Sequence, residues 1–131
     1  MFRLFVICVL ATGIKALTEE QIQLMNSLHA ECQGQTGVSE DVINQAKAGE
    51  FPQDNALKCY MKCVFDEVGI IGDDGKLDIE GALAILPEEM KDVATPVVVK
   101  CDTQAGSDIC DAIFNTLKCY WDTDKRAFFL P

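Results

Sequence analysis

The sequence predicts an all-helical, disulfide-bonded domain, and three observations lead to that prediction. Apolar residues recur at three- and four-residue intervals along nearly the whole chain, which is the spacing of one face of an α-helix. No segment alternates convincingly between apolar and polar residues, as a half-buried strand would. Six of the seven cysteines lie after residue 16, and an even number in a short secreted chain is typical of a disulfide framework. We expect about six helices and three disulfides.

Residues 1–16 predict a secretory signal peptide. Arg3 precedes an apolar run that starts at Leu4, and the small residue Ala16 closes the segment. The run is too short for a membrane span, which needs roughly 20 apolar residues. We therefore expect a secreted, extracellular protein whose mature domain is residues 17–131; a buried N-terminal helix is the alternative.

The charge and composition of the chain exclude several classes of protein. Loss of residues 1–16 removes two cations and no anion, so the formal charge changes from −10 to −12. A field of this sign repels phosphates and anionic headgroups, which argues against nucleic-acid binding and electrostatic membrane binding. The chain has 131 residues, of which 49% are hydrophobic, so we expect a single domain with a core and no extensive disorder.

Helix-capping residues mark where the first three predicted helices begin. Thr18 starts the first helix, because Thr18–Gln21 has the pattern of a capping box. Ser39 caps the second helix and Asp54 caps the third. The Gly-containing loop 33–38 is expected to end the first helix. The inward faces carry, in order, Ile22, Met25, His29 and Cys32; Val42, Ile43 and Ala46; and Leu57, Met61, Val64, Phe65 and Val68.

Three further helices are predicted in the second half. Asp78 caps a short fourth helix, which Pro87 ends. Pro96 lies inside the fifth helix, so we expect a kink there. Ser107 caps the sixth. The inward faces carry Ile79, Ala82, Leu83 and Leu86; Met90, Val93, Ala94, Val97, Val98 and Cys101; and Ile109, Cys110, Ile113, Phe114, Leu117, Cys119 and Trp121.

The last five residues, Ala127–Pro131, are unusually apolar for the end of a chain. Leaving Phe128, Phe129 and Leu130 in water would cost a few kcal/mol. We expect this tail to fold back onto the domain; a disordered, sticky end is the alternative.

The spacing of the cysteines restricts their pairing without deciding it. Cys59 and Cys63 are separated by one helical turn, so each can bond to a different neighbouring helix but they are badly placed to bond each other. Six cysteines allow 15 pairings. The intervals between Cys32, Cys59, Cys63, Cys101, Cys110 and Cys119 are 26, 3, 37, 8 and 8 residues.

These intervals, together with the leader, the helices, the acidity and the length, resemble the insect odorant-binding protein family, which includes the pheromone-binding proteins. The resemblance covers Leu17 to Pro131. It implies the pairing Cys32–Cys63, Cys59–Cys110 and Cys101–Cys119. It also implies a secreted carrier that binds small hydrophobic odorants or pheromones in an internal apolar pocket and delivers them near receptors.

Little in the sequence points to catalysis or metal binding. His29 is the only histidine, and no G-x-S-x-G motif or zinc-ligand spacing occurs. The acidic loop around Gly75 does not fit a calcium loop, because Ile70 and Gly72 stand where carboxylates are needed. We expect neither enzyme activity nor a cofactor; a small lipase-like hydrolase is the least supported reading.

Composition alone favours a solid core, whereas the resemblance favours a cavity. If a cavity exists, the widest apolar stripes should line it and the tail should plug one end. The hydroxyl of Tyr120 and the indole N–H of Trp121 are the polar groups expected to meet a ligand. The predicted ligand-binding residues are Met61, Phe65, Val68, Leu83, Val93, Val97, Ile113, Phe114, Leu117, Trp121, Phe128, Phe129 and Leu130.

The expected partner is a small volatile or lipid-like molecule held with about micromolar affinity, and an olfactory receptor is a further candidate. Asp122 and Asp124 lie beside the tail, and with His29 they suggest that acid loosens it and releases the ligand. Two alternatives remain: a carrier in a non-olfactory secretion, and a rigid interaction module without a cavity.

Overall fold

The computed structural model describes residues 18–131, and within that range the chain forms six α-helices. The only pairing of extended backbone in this range is an isolated antiparallel bridge between Ile71 and Leu77. The all-α class is therefore confirmed. The helices are α1 (Glu19–Thr36), α2 (Glu40–Lys47), α3 (Asn55–Glu67), α4 (Ile79–Ala84), α5 (Lys91–Cys101) and α6 (Ile109–Thr123), with 3₁₀ turns at Glu88–Met90 and Lys125–Ala127.

The predicted signal peptide lies outside the described residues, so its cleavage stays a prediction. Within residues 18–131 no helix combines the length and the apolar character needed to cross a bilayer.

Most of the predicted helix starts are confirmed by their caps. Thr18 and Gln21 form the capping box, and the side chains of Ser39, Asp54 and Asp78 each accept a hydrogen bond from a backbone N–H in the first turn of their helix. These bonds satisfy donors that have no partner inside the helix.

Two boundaries differ from the prediction. The first helix continues through the expected loop to Thr36, because Gly37 is the residue that adopts the left-handed conformation that ends a helix. The sixth helix is capped by Asp108 and not by Ser107, because the Asp108 carboxylate accepts the Asp111 N–H at 2.8 Å. Pro96 lies inside α5, and the kink there stays a prediction.

Helix α3 is the central element, since it packs against both α1 and α6. Its two cysteines bond to different helices: Cys63 bonds to Cys32 of α1, and Cys59 bonds to Cys110 of α6. The third disulfide, Cys101–Cys119, joins α5 to α6. This is the pairing that the resemblance implied, and it links four of the six helices into one covalent frame.

The C-terminal tail folds back onto this frame, as expected. Ala127, Leu130 and Pro131 are buried, and Phe128 packs edge-on against the rings of Phe51 and Trp121. The tail thus contributes to the core and is not a free, sticky end.

Candidate ligand-binding cavity

A cavity of about 250 Å³ lies between the helices and the folded-back tail. Its wall comes from α1, α3, the α4–α5 region and α6. Leu24, Ile85 and Phe129 are 54%, 54% and 44% exposed and belong to the lining, which places the mouth among α1, the end of α4 and the tail. The lining is otherwise buried or half-buried, and almost all of it is apolar.

Four of the predicted ligand-binding residues line this cavity: Phe65 and Val68 from α3, Leu117 from α6 and Phe129 from the tail. The first three lie on stripes that face the centre of the domain, and Phe129 lies at the mouth. Their contact with a ligand stays a prediction.

The structure places the other nine predicted residues away from the lining. On α5, Ala94 and Val98 face the cavity, whereas Val93 and Val97 are each one residue earlier and so turned about 100° away. On α4, the same rotation separates Ala82, which lines the cavity, from the predicted residue Leu83, which does not. Met61, Ile113 and Phe114 are fully buried core, Leu83 and Leu130 pack against or within the core, and Trp121 and Phe128 belong to an aromatic cluster.

Two parts of the lining escaped prediction. The first is α1, where Gln21, Leu24, Met25 and Leu28 have the spacing i, i+3, i+4 and i+7 of one helix face. That spacing was available as a signal, but the tertiary fold was needed to show that this face meets a cavity. The second is the segment from Ile85 to Met90, where Leu86 and Met90 were expected to face inward but were not predicted to bind a ligand. Ile85 and Pro87 belong to no predicted apolar stripe and also join the lining.

The filled region beside the cavity is an aromatic cluster, defined as Phe51, Phe114, Trp121 and Phe128. Phe51 meets the other three edge-on, with ring centroids 5.6–6.5 Å apart. Such pairs gain electrostatic energy beyond the burial of their area. Gly49 lies directly against the Trp121 ring, where an added Cβ would come within 2.2 Å of it. Trp121 therefore points into this cluster and does not line the cavity.

Tyr120 is the polar group that the structure does place in the lining. Its side chain is buried, with 6% of its surface exposed, and burial raises its pKa to about 12. The phenol is therefore neutral at physiological pH. Gln21 is the other polar side chain of the lining, and its side-chain oxygen accepts the Thr18 N–H at 2.9 Å.

A hydrogen-bonded network holds the end of the tail. The Tyr60 hydroxyl donates to the backbone oxygen of Pro131 at 2.8 Å. His29 Nδ1 lies 3.1 Å from that hydroxyl oxygen and 3.3 Å from the Pro131 oxygen, and its Nε2 lies 2.6 Å from Glu40 Oε1. The hydrogen bond from His29 lowers the pKa of the Glu40 carboxyl, and burial raises that of Tyr60 to about 12. One tail residue is thus tied to α1 and α3, and through His29 to α2.

The other groups suspected of acid sensing are placed differently. Arg126 donates to both carboxylate oxygens of Asp124, at 3.1 and 2.7 Å, and these hydrogen bonds lower the pKa of Asp124. Asp124 therefore stays ionised in mild acid. Of the suspected residues, His29 is the one that hydrogen-bonds the tail's end, and its ring is already engaged there and with Glu40.

The acidic loop before α4 is a turn and a cap, as expected. Asp74 accepts the Lys76 N–H, and Asp78 accepts the Gly81 N–H at the start of the helix. Among residues 18–131, no three histidine, cysteine or acidic side chains are grouped closely enough to hold a metal ion.

Fold and site together define a helical, disulfide-bonded protein with an apolar cavity that opens between α1, the end of α4 and the tail. Comparison with known sequences makes the class specific: residues 14–123 match the model of the PBP/GOBP family, and the chain belongs to that family.

Individual relatives agree with this assignment. General odorant-binding protein 69a of Drosophila melanogaster is 38% identical over 100 residues, which are 76% of this chain and 68% of that protein. Among solved structures, odorant binding protein 4 of Chrysopa pallens is 29% identical with a TM-score of 0.77, covering 88% of this chain and 99% of that one. A fatty acid binding protein, OBP56a from the oral disk of the blowfly Phormia regina, is 26% identical with a TM-score of 0.66, covering 85% and 97%. Two of these three relatives are named odorant-binding proteins, and the third is named a fatty acid binding protein.

Proposed function

We propose that this protein is a secreted carrier that binds and solubilises one small hydrophobic molecule in its internal cavity, for delivery to a receptor. The observation that carries the proposal is the cavity of about 250 Å³ with its almost wholly apolar lining. Family membership supports the same function. Binding consists of removing the ligand's apolar surface from water.

The cavity volume limits the size of the cargo. A cavity of roughly 150 Å³ accepts benzene, so about 250 Å³ suits a molecule of roughly ten non-hydrogen atoms. Micromolar affinity corresponds to about −8 kcal/mol, or roughly −0.8 kcal/mol per atom. That value lies between the limits known for the smallest and for drug-sized ligands. A carrier that must release its cargo fits this range.

Three other readings receive less support. A rigid interaction module needs no cavity, whereas this domain has one. A hydrolase would use His29 as its base, but that ring is engaged with Glu40 and the tail. A fatty acid carrier, as the blowfly relative is named, would need a partner for the carboxylate, and none of the lining side chains among residues 18–131 is charged.

The test begins with the full chain expressed in secreting insect cells. Mass spectrometry of protein from the medium should show loss of the first 16 residues and three intact disulfides. Titration with the small fluorophore 1-aminonaphthalene should then give saturable, one-to-one binding that octane and 2-octanone displace. Unsaturable binding, or none, in correctly oxidised protein would overturn the carrier function.

A matched pair of variants places the binding in the cavity. Ala94 is buried and part of the lining, so Ala94→Phe fills the cavity and should lower affinity at least tenfold. Ala30 is exposed on α1 and outside the lining, so Ala30→Phe should bind as the wild type does. Circular dichroism checks that both variants stay folded, and equal affinities in the two folded variants would place the ligand elsewhere.

A further inference from the structure

We propose that the ion pair between Lys58 and Asp111 guides disulfide formation by aligning α3 with α6. In this alignment Cys110 meets Cys59 and not Cys63. The cysteine intervals leave that choice open, because the two cysteines of α3 lie one turn apart and point the same way. This role concerns how the covalent frame forms and is independent of the proposed carrier function.

The ion pair lies directly beside the disulfide that it guides. Lys58 precedes Cys59 on α3, and Asp111 follows Cys110 on α6. The Lys58 ammonium group donates to Asp111 Oδ1 at 2.8 Å, and only 13% and 19% of the two side chains are exposed. Of the ion pairs that lysine and arginine form within residues 18–131, this one alone joins two α-helices. The contact therefore fixes the position of α3 relative to α6 at the point where their cysteines meet.

The Asp111 carboxylate is oriented by its own helix. Its Oδ2 accepts the Ser107 N–H at 2.9 Å and the Ser107 hydroxyl at 3.3 Å, while its backbone N–H bonds to Asp108. The hydrogen bond from Lys58 lowers the pKa of Asp111, so the carboxyl is ionised at neutral pH. Lys58 also lies over the ring of Phe114, with 5.1 Å from Nζ to the ring centre. The contacts that orient the carboxylate span one turn and need no other part of the fold.

Helix α3 contains a second position where the same contact is possible. Lys62 and Cys63 repeat the order of Lys58 and Cys59 four residues later. A slip of α3 by four residues, about 6 Å along the helix, would place the second lysine and cysteine opposite α6 in the same way. The native pairing therefore requires a preference for the first lysine over the second.

The neighbours of the two lysines supply that preference. Lys62 is paired with Asp66 on its own helix. Lys58 has a lysine and not an acid at the corresponding position, and Asp54, one turn before it, caps α3 through the Leu57 N–H. Lys58 is thus the lysine that reaches across to α6. A half-buried ion pair contributes little net stability because desolvation offsets its attraction, but such pairs can fix register between helices.

The disulfide forms by thiol–disulfide exchange with a small disulfide such as oxidised glutathione. One protein thiolate attacks it and displaces a glutathione thiolate, and a second protein thiolate attacks the mixed disulfide and displaces the other. Two protein thiols are oxidised to one disulfide, and oxidised glutathione is reduced to two thiols that take up the two protons. The second attack needs a cysteine close by, so the alignment of the helices decides which cysteine reacts.

The experiment compares the wild type with Lys58→Met, Asp111→Asn, the double variant and Lys62→Met. Methionine keeps an apolar stem over Phe114 and removes the charge. Lys62→Met is the matched control, since it removes the same charge from the same helix one turn away. Each mature protein is reduced, unfolded in guanidinium chloride and diluted into neutral buffer that contains oxidised and reduced glutathione.

The measured quantity is the pairing ratio, defined as the amount of Cys110 joined to Cys59 divided by the amount joined to Cys63. N-ethylmaleimide stops the reaction at successive times and blocks the remaining thiols. Chymotrypsin cleaves after Tyr60, which separates the two cysteines of α3 in every variant. Mass spectrometry of the linked peptides then gives the ratio among the first disulfides to form.

We expect Lys58→Met and Asp111→Asn each to lower the early pairing ratio by roughly fivefold, the value of one net hydrogen bond. The double variant should lower it no further, because both changes remove the same contact. Lys62→Met should not lower the ratio, since it removes the competing lysine.

Three outcomes would overturn the proposal. An early pairing ratio in Lys58→Met equal to that of the wild type would mean that the ion pair acts only in the finished fold, even if urea unfolding of the oxidised variant shows a loss of stability. An equal fall in Lys62→Met would assign the effect to the charge of α3 as a whole. A ratio in the double variant well below that of either single variant would show that the two groups act separately.

Discussion

Tyr120 and Trp121 are neighbours in α6, yet they lie in two regions that are packed in opposite ways. Trp121 points into the aromatic cluster, where four rings meet edge-on. Tyr120, turned about 100° around the helix, faces the cavity. Both regions are apolar and both lie between the helices and the tail, so hydrophobicity does not distinguish them.

The size of the facing side chains does distinguish them. Opposite Trp121 stand Phe51 and Phe128, which fill the space. The cavity lining includes the small side chains of Ala82 and Ala94, which cover the wall without reaching across it. A cavity thus arises where facing residues are short, and the disulfide frame allows the domain to remain folded around it.

The comparison predicts that truncating a side chain on the cluster side of α6 lowers the free energy of unfolding more than truncating one on the cavity side. This is the largest of the expected effects. Phe114→Ala empties a fully buried position in the aromatic cluster and should lower the free energy of unfolding by about 4 kcal/mol. Leu117→Ala removes a side chain that already borders a cavity, so we expect about 2 kcal/mol. Urea unfolding with the disulfides intact measures both, and equal losses would mean that the two regions are packed alike.

A second pair of variants tests how tightly the aromatic cluster is filled. Gly49 has a φ of +90° and no space for a Cβ beside Trp121, so Gly49→Ala should cost about 3 kcal/mol of stability. Gly34 lies inside α1 with no atom within 4 Å of an added Cβ. Gly34→Ala should therefore stabilise the protein, by roughly 0.5–1 kcal/mol. Trp121 fluorescence follows both unfolding transitions, and a Gly49→Ala protein as stable as wild type would contradict the tight packing.

The smallest expected effect concerns the tail, which joins the two regions through Phe128 and Pro131. The Tyr60 hydroxyl donates to the Pro131 oxygen, and the His29 ring lies within hydrogen-bond distance of both groups. The same ring contacts Glu40, so it joins the end of the tail to α1 and α2. The acid-triggered release suggested by the sequence stays a prediction.

The pair of Asp124 and Arg126 depends on pH through the Asp124 carboxyl. Because the pKa of Asp124 is lowered by Arg126, the contribution of this pair is present above about pH 4 and lost only below it. At neutral pH, protection of the Phe128 amide from hydrogen exchange should be lower in His29→Ala than in the wild type, because the ring that contacts Pro131 and Tyr60 is removed. Equal protection in the two proteins would show that His29 does not hold the tail.

The features that the sequence predicts correctly are those decided by interactions between residues close together in the chain. Capping at Thr18, Ser39, Asp54 and Asp78 is decided within one helical turn, and all four predictions are confirmed. The predicted end of α1 was too early because a glycine such as Gly34 is a common helix-ending residue. In the structure Gly34 lies inside the helix, and Gly37 adopts the left-handed conformation that ends it.

The sequence by itself determined the helical class, most helix starts, the burial of the apolar tail and, through the cysteine intervals, the family. Only the tertiary structure decided which apolar helix faces line the cavity and which pack into the filled core. It placed Val98 on the cavity and left Val97 off it, and it gave Tyr60 a partner while leaving Tyr120 to face the cavity. The physical reason is that helix periodicity is a local property, whereas a cavity is the volume left over between side chains that are distant in the chain.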